Sequence, residues 1–151
     1  MKALDLAKYI ILDSAKIGYP VSNLQLQKVL YFTNMFYISK NDTNLIDESF
    51  EAWQFGPVIR EIYDEYSING SNRIYLENDE TFYNKTREML DEETKNVLVM
   101  LYKANVWTLV DYSHYKGGAW DKTFDINNPY KRAEISYEDI KKDALIFFPK
   151  Q

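Results

Sequence analysis

Apolar residues recur at helical spacing along most of the chain. Leu4, Ala7, Ile11 and Ala15 follow the i, i+3/i+4 rhythm of one helix face, and Gly18 to Pro20 end that segment. Ser22 and Gln25 then form the S-x-x-Q pattern of a capping box, in which each side chain can satisfy an orphan backbone N–H. Leu26, Val29, Leu30, Thr33, Phe36 and Tyr37 carry an apolar stripe from there to Ser39, predicting a second helix. Asn41 to Glu48 is polar and reads as a connection.

Phe50 to Trp53 alternates apolar and polar residues briefly, as a short strand does. Gly56 permits a turn, and Pro57 suits the first position of a third helix whose inner face is Val58, Ile59, Ile62, Tyr63 and Tyr66. Asn69-Gly70 ends that helix, and Arg73 to Glu77 is expected to be a second short strand. A fourth helix starts near Asp91, whose carboxylate, with Glu92 and Glu93, suits the positive end of a helix dipole; its inner face is Val97, Leu98, Leu101 and Ala104. Thr108 with Asp111 is expected to open a short helix through Ser113-His114, broken by Gly117-Gly118. Ser136 with Asp139 opens the last one, which carries Ile140, Ala144, Leu145 and Phe148 and stops before Pro149. The sum is a mainly α (α+β) compact single domain over 1–151, with about six helices and a small two-stranded β element.

Composition narrows the functional classes. No apolar run approaches the roughly 18 residues a membrane helix requires; Val97 to Tyr102 is the longest. Charges at Lys2, Asp5 and Lys8 interrupt the N-terminal apolar segment, so no secretory leader is expected, and a cytoplasmic location follows. Without cysteine the chain has no disulfide, thiol nucleophile or Cys-based zinc site. The formal net charge of −5 opposes non-specific binding to phosphate backbones. Lys131, Arg132, Lys141 and Lys142 are interleaved with Glu134, Glu138, Asp139 and Asp143, which makes a mixed surface, not a basic patch. Thirteen tyrosines suit an interface. A chain rich in Lys, Ile and Asn, as AT-rich codons produce, accounts for them as well.

Catalytic patterns are missing. His114 is the single histidine, and Ser113, its neighbour on a helix, points elsewhere; no G-x-S-x-G elbow, phosphate loop or metal-ligand spacing accompanies the pair. The expected role of His114 is structural, hydrogen-bonded near a helix end and packed by Trp120. Asp79-Glu80 and Asp91-Glu92-Glu93 read as a polar connection and a helix start, without acid/base or Mg²⁺ duty. The chain is therefore expected not to be an enzyme and to use no cofactor or metal. One alternative is a helix-turn-helix DNA-binding regulator in which the second helix presents Asn23, Gln25, Gln27 and Lys28 to base edges. Those four residues spread over more than one face and include one cation, which weighs against it.

Three stretches taken in order, "LQLQKVLYFTNMFY", "FEAWQFGPVIREIY" and "SHYKGGAW", resemble the Panacea domain, the family of SocA-like antitoxins once of unknown function and often described as phage-associated. The resemblance runs from Leu4 to the helix starting at Ser136 and rests on the structural motif Leu26, Gln27, Lys28, Gly56 and Pro57 with its neighbours. One departure is Ala119 before Trp120, where the family frequently has proline. The resemblance implies an antitoxin of a toxin–antitoxin system that neutralises a cognate toxin by direct protein–protein binding, in one branch as an adaptor delivering the toxin to an ATP-dependent protease. Its alternative is a phage-encoded accessory protein that binds and inhibits a host or defence protein.

The aromatic junction at the Gly-Pro break supplies the candidate contact residues. Gly56-Pro57 is expected to fix the turn and hold Phe50, Trp53 and Phe55 against the second helix near Tyr31. Rigid Trp and Tyr side chains in such a cluster suit a partner anchor, so Tyr31, Trp53, Gln54, Phe55, His114 and Trp120 are the candidate partner-binding residues. Core packing is the competing role, favoured for Phe50 and Val58.

Overall fold

A computed structural model of the protein describes residues 1–150. Its elements run α1 (Ala3–Ile17), α2 (Asn23–Asn41), β1 (Glu51–Trp53), β2 (Gly56–Val58), α3 (Arg60–Glu65), α4 (Glu80–Glu88), α5 (Glu92–Lys103), α6 (Val106–Ser113), α7 (Ala119–Thr123) and α8 (Tyr137–Phe147). The mainly helical fold with a small β element is thus as the sequence predicts.

Helix α2 is the axle. It packs on α1, α3, α5, α6, α8 and β2, so it is buried on far more than the one apolar stripe read from its sequence. Polar residues caught inside it are matched by specific partners, as burial demands. Asn34 Oδ1 accepts from the N–H groups of Leu45 and Ile46 at 2.9 and 3.1 Å, and Gln27 Oε1 accepts from Ile59 N–H at 2.9 Å.

Several helix boundaries obey local capping chemistry. Gly18, with φ of 89°, closes α1 in the left-handed conformation that favours glycine. Ser22, Asp91 and Ser136 cap α2, α5 and α8 by accepting from the N–H groups of Gln25, Thr94 and Asp139. The reciprocal half of the first box is not made: Gln25 sends its side-chain amide to the Tyr102 carbonyl instead, tying α2 to α5.

Four expectations require correction. Pro57 lies in β2, not at the start of a helix, because β1 and β2 pair antiparallel as Ala52↔Pro57 and Trp53↔Gly56; a residue without an N–H is tolerated on an edge strand. Arg73 to Glu77 is not the second strand: it makes one isolated bridge, Arg73 with Ser22, and Ile74 N–H donates to Val21 O. Asn105, not Thr108, caps α6, its Oδ1 accepting from Trp107 and Thr108 N–H. Finally, α4 and α7 bring the α-helices among the described residues to eight. Helix α4 was hidden in what reads as a polar connection; Asp79 caps it, and Tyr83 stacks on Tyr9 of α1 at 5.2 Å.

The small sheet has a third, irregular edge. Ala52 N–H donates to Ala133 O at 2.9 Å and Ile135 N–H to Phe50 O at 2.8 Å, with Glu51 bridged to Glu134. This strap, residues 129–135, therefore runs along β1 on the side away from β2.

Candidate functional site

The β1–β2 hairpin is seated on the core by a buried lysine amine. Lys28 of α2 is fully buried, and its Nζ donates to Pro57 O at 2.9 Å. Burial pushes its pKa down to about 7. The neighbouring Gly56 has φ of +118°, and a Cβ there would stand 2.8 Å from Lys28 Cε and 2.9 Å from both Lys28 Nζ and Ser113 Oγ. Only glycine allows this approach.

A second anchor comes from α6 and α7. Trp120 Nε1 donates to Trp53 O at 2.6 Å, and the Trp120 ring lies between His114, stacked at 3.7 Å and 3°, and Phe124 at 4.6 Å. Burial, and then the Lys28 charge, lower the His114 pKa, so the imidazole is neutral near pH 7. Ser113 Oγ donates to Val110 O at 2.8 Å and does not engage His114 as a nucleophile would.

These anchors project the hairpin turn, Gln54 and Phe55, beside a cleft of about 530 Å³. The start of α2 forms its floor. Trp53, Phe55 and Tyr63 form one wall, Val106 and Trp107 of α6 another, and Pro129, Tyr130 and Arg132 of the strap a third. Phe55 is 51% exposed and meets Trp107, 55% exposed, edge to face at 6.0 Å. Trp53 is 9% exposed, packed by Tyr63 at 4.8 Å and covered by the Arg132 guanidinium at 3.8 Å from its ring centre. Its indole N–H donates to Glu51, which also pairs with Arg60.

The structure divides the six candidate contact residues. Trp53, Gln54 and Phe55 line the cleft. His114 and Trp120 stand behind it as supports, which for His114 agrees with its expected packing by Trp120. Tyr31 is a correction: it is buried in the core, edge-on to Phe50 at 5.1 Å, and presents no surface to a partner. Leu26, Gln27, Lys28, Gly56 and Pro57 are all buried and build the hairpin seat. The helix-turn-helix reading is corrected by the same burial. Asn23, Gln27 and Lys28 point into the protein, where the Asn23 amide donates to Tyr63 O, and base edges are out of their reach.

Sequence reasoning missed Trp107, Tyr63, Tyr130 and Arg132. Trp107 falls off the Leu109–Val110 inner face of its helix, a usable signal once Asn105 is recognised as the cap. Nothing local marks Arg132, which reaches the cleft only because the strap pairs with β1.

The family model described as "Antitoxin SocA-like, Panacea domain" matches residues 26–121, from α2 through the hairpin to α7, and the chain belongs to that family. Antitoxin SocA of Caulobacter vibrioides (strain NA1000 / CB15N) is 33% identical over 122 residues, covering 74% of this chain and 65% of that protein's length. No solved structure matches. No helix among the described residues is long and apolar enough to cross a membrane.

Proposed function

We propose that this protein is an antitoxin that acts by binding: it neutralises a cognate toxin by direct contact, and the cleft beside the hairpin is the contact surface. The observation that carries the reading is the Phe55–Trp107 pair: of the large apolar side chains left exposed on the domain, these two aromatics meet each other edge to face beside the cleft. Exposed aromatics around a concave apolar surface are the usual anchors of protein interfaces. Support for binding without catalysis comes from His114, its ring stacked on Trp120, and from Ser113, whose hydroxyl is spent on a backbone carbonyl and does not engage the imidazole.

The test is co-expression with the product of the adjacent reading frame under a separate inducible promoter. The wild-type chain should restore growth, while Phe55→Ala and Trp107→Ala should fail although both accumulate as folded protein. Rescue by both variants would remove the cleft from the reading. Delivery of the bound toxin to an ATP-dependent protease is a separable step, read as toxin half-life with and without this chain.

A further inference from the structure

We infer that the cleft receives a segment of the partner protein in which a carboxylate stands next to a large apolar side chain, with Arg132 reading the acid. This rests on the cleft being the partner surface and adds the chemistry of what enters it.

The charge distribution carries the inference. Among the residues lining the cleft, Arg132 is the only charged one, on a chain whose formal net charge is −5. Its guanidinium lies over the Trp53 indole at 3.8 Å. A guanidinium held over an aromatic ring by its cation–π contact still has N–H donors to offer, and a guanidinium can take a carboxylate bidentately. No carboxylate among the described residues pairs with it, whereas Arg60, the other cation near Trp53, is already held by Glu51 at 2.9 Å.

The polar side chains on the floor of the cleft are committed inward. Ser22 caps α2, Asn23 donates to Tyr63 O, and both ends of the Gln27 amide are bonded. Arg132 is thus the unpaired charge of the lining, which also holds Trp53, Phe55, Tyr63, Trp107 and Tyr130. An apolar side chain suits those rings, and an adjacent carboxylate suits the one unpaired cation.

The arginine is also held in place. Arg132 has φ of 51°, the left-handed region that a non-glycine residue rarely adopts, and the following Ala133 O and Ile135 N–H are both bonded to β1. Arg132 and Tyr130 lie outside the 26–121 segment that the family model matches.

The test is selection of random dodecapeptides displayed on phage against the immobilised protein, repeated with Arg132→Gln. Enriched peptides should place Asp or Glu beside an aromatic or aliphatic residue. Resynthesised with the amide in place of the acid, they should bind about tenfold more weakly to wild type and equally to Arg132→Gln. An acid-free consensus, undiminished binding to Arg132→Gln, or no enrichment would overturn the inference. Displacement of the peptide by a single-stranded oligothymidylate would also overturn it, since the stacked arginine would then be reading nucleic acid. The growth assay separates this inference from the reading beneath it. Rescue by Arg132→Gln but not by Phe55→Ala leaves the cleft as the contact surface and removes the acid. Rescue by both removes the cleft.

Discussion

Lys28 Nζ and the carbonyl of Pro57 are 2.9 Å apart, and this bond joins a fully buried amine on the central helix to the second strand of the hairpin. No carboxylate among the described residues neutralises it. Its pKa falls from an ordinary 10.5 to about 7 in the folded protein. Between those values the unfolded chain holds more protons than the folded one, so stability rises with pH across that window. The slope approaches about 1.4 kcal/mol per pH unit and flattens below the folded value, where both states are protonated. Urea unfolding of the wild type and Lys28→Met from about pH 7 to about pH 10 isolates the effect as a difference that grows with pH. A constant difference would show that Lys28 is not buried as a lone cation.

Gly56→Ala is expected to lose about 1–3 kcal/mol, because it combines a left-handed φ with a Cβ pressed against Lys28 and Ser113. The denaturation midpoint reads this directly. An unchanged midpoint would mean that the hairpin seat is looser than the 2.8 and 2.9 Å contacts require.

Tyr31→Phe should be neutral or stabilising, by up to about 1–2 kcal/mol, since the Tyr31 hydroxyl is buried without a hydrogen-bond partner and its ring contacts survive the change. A thermal melt decides the sign. Clear destabilisation would reveal a partner for the hydroxyl, such as an ordered water.

The two aromatic walls should separate by burial. Trp53→Ala, which removes a nearly buried indole from under Arg132, is expected to cost about 3–5 kcal/mol. Phe55→Ala and Trp107→Ala should each stay within about 0.5–1 kcal/mol of wild type, because both side chains are already largely in water. Comparable losses at all three positions in chemical denaturation would show that the cleft wall is core.

Ala119→Pro tests the departure from the family's frequent proline before tryptophan. Ala119 is the first residue of α7, where proline fits sterically, yet its N–H donates to buried Asp143 Oδ2 at 2.8 Å. Losing that donor should cost about 1–3 kcal/mol. The double variant with Asp143→Ala should lose less than the sum of the two single changes, because both remove one bond. Full additivity would remove the bond from the account.

Much of the helical frame was legible because Ser22, Asp91 and Ser136 advertise their caps and the residues after them repeat at helical spacing. Other parts depend on distant contacts. Gly56-Pro57 reads as a helix entry because proline suits that position, and only pairing with β1 turns it into a strand. Helix α4 buries little beyond Thr86 and leans on α1 through Phe82 and Tyr83, so its apolar signal is thin. Lys28 stood in the motif that carries the resemblance, but a hydropathy pattern places a lysine outside the protein. Three of the six candidate contacts line the cleft. Arg132, from a strap about eighty residues further along the chain than Trp53, could not be placed there by any local rule.

The strap also sets an order of events during synthesis. Until Ala133 and Ile135 have left the ribosome, the outer edge of β1 has no partner, and its unpaired N–H and C=O groups can recruit another strand. The arginine that supplies the cleft's charge arrives in the same late segment. A nascent chain that already holds the hairpin and α6 therefore displays Phe55 and Trp107 without Arg132 beside them. Its aromatic residues can stick to other chains before the cleft has the charge to choose among them.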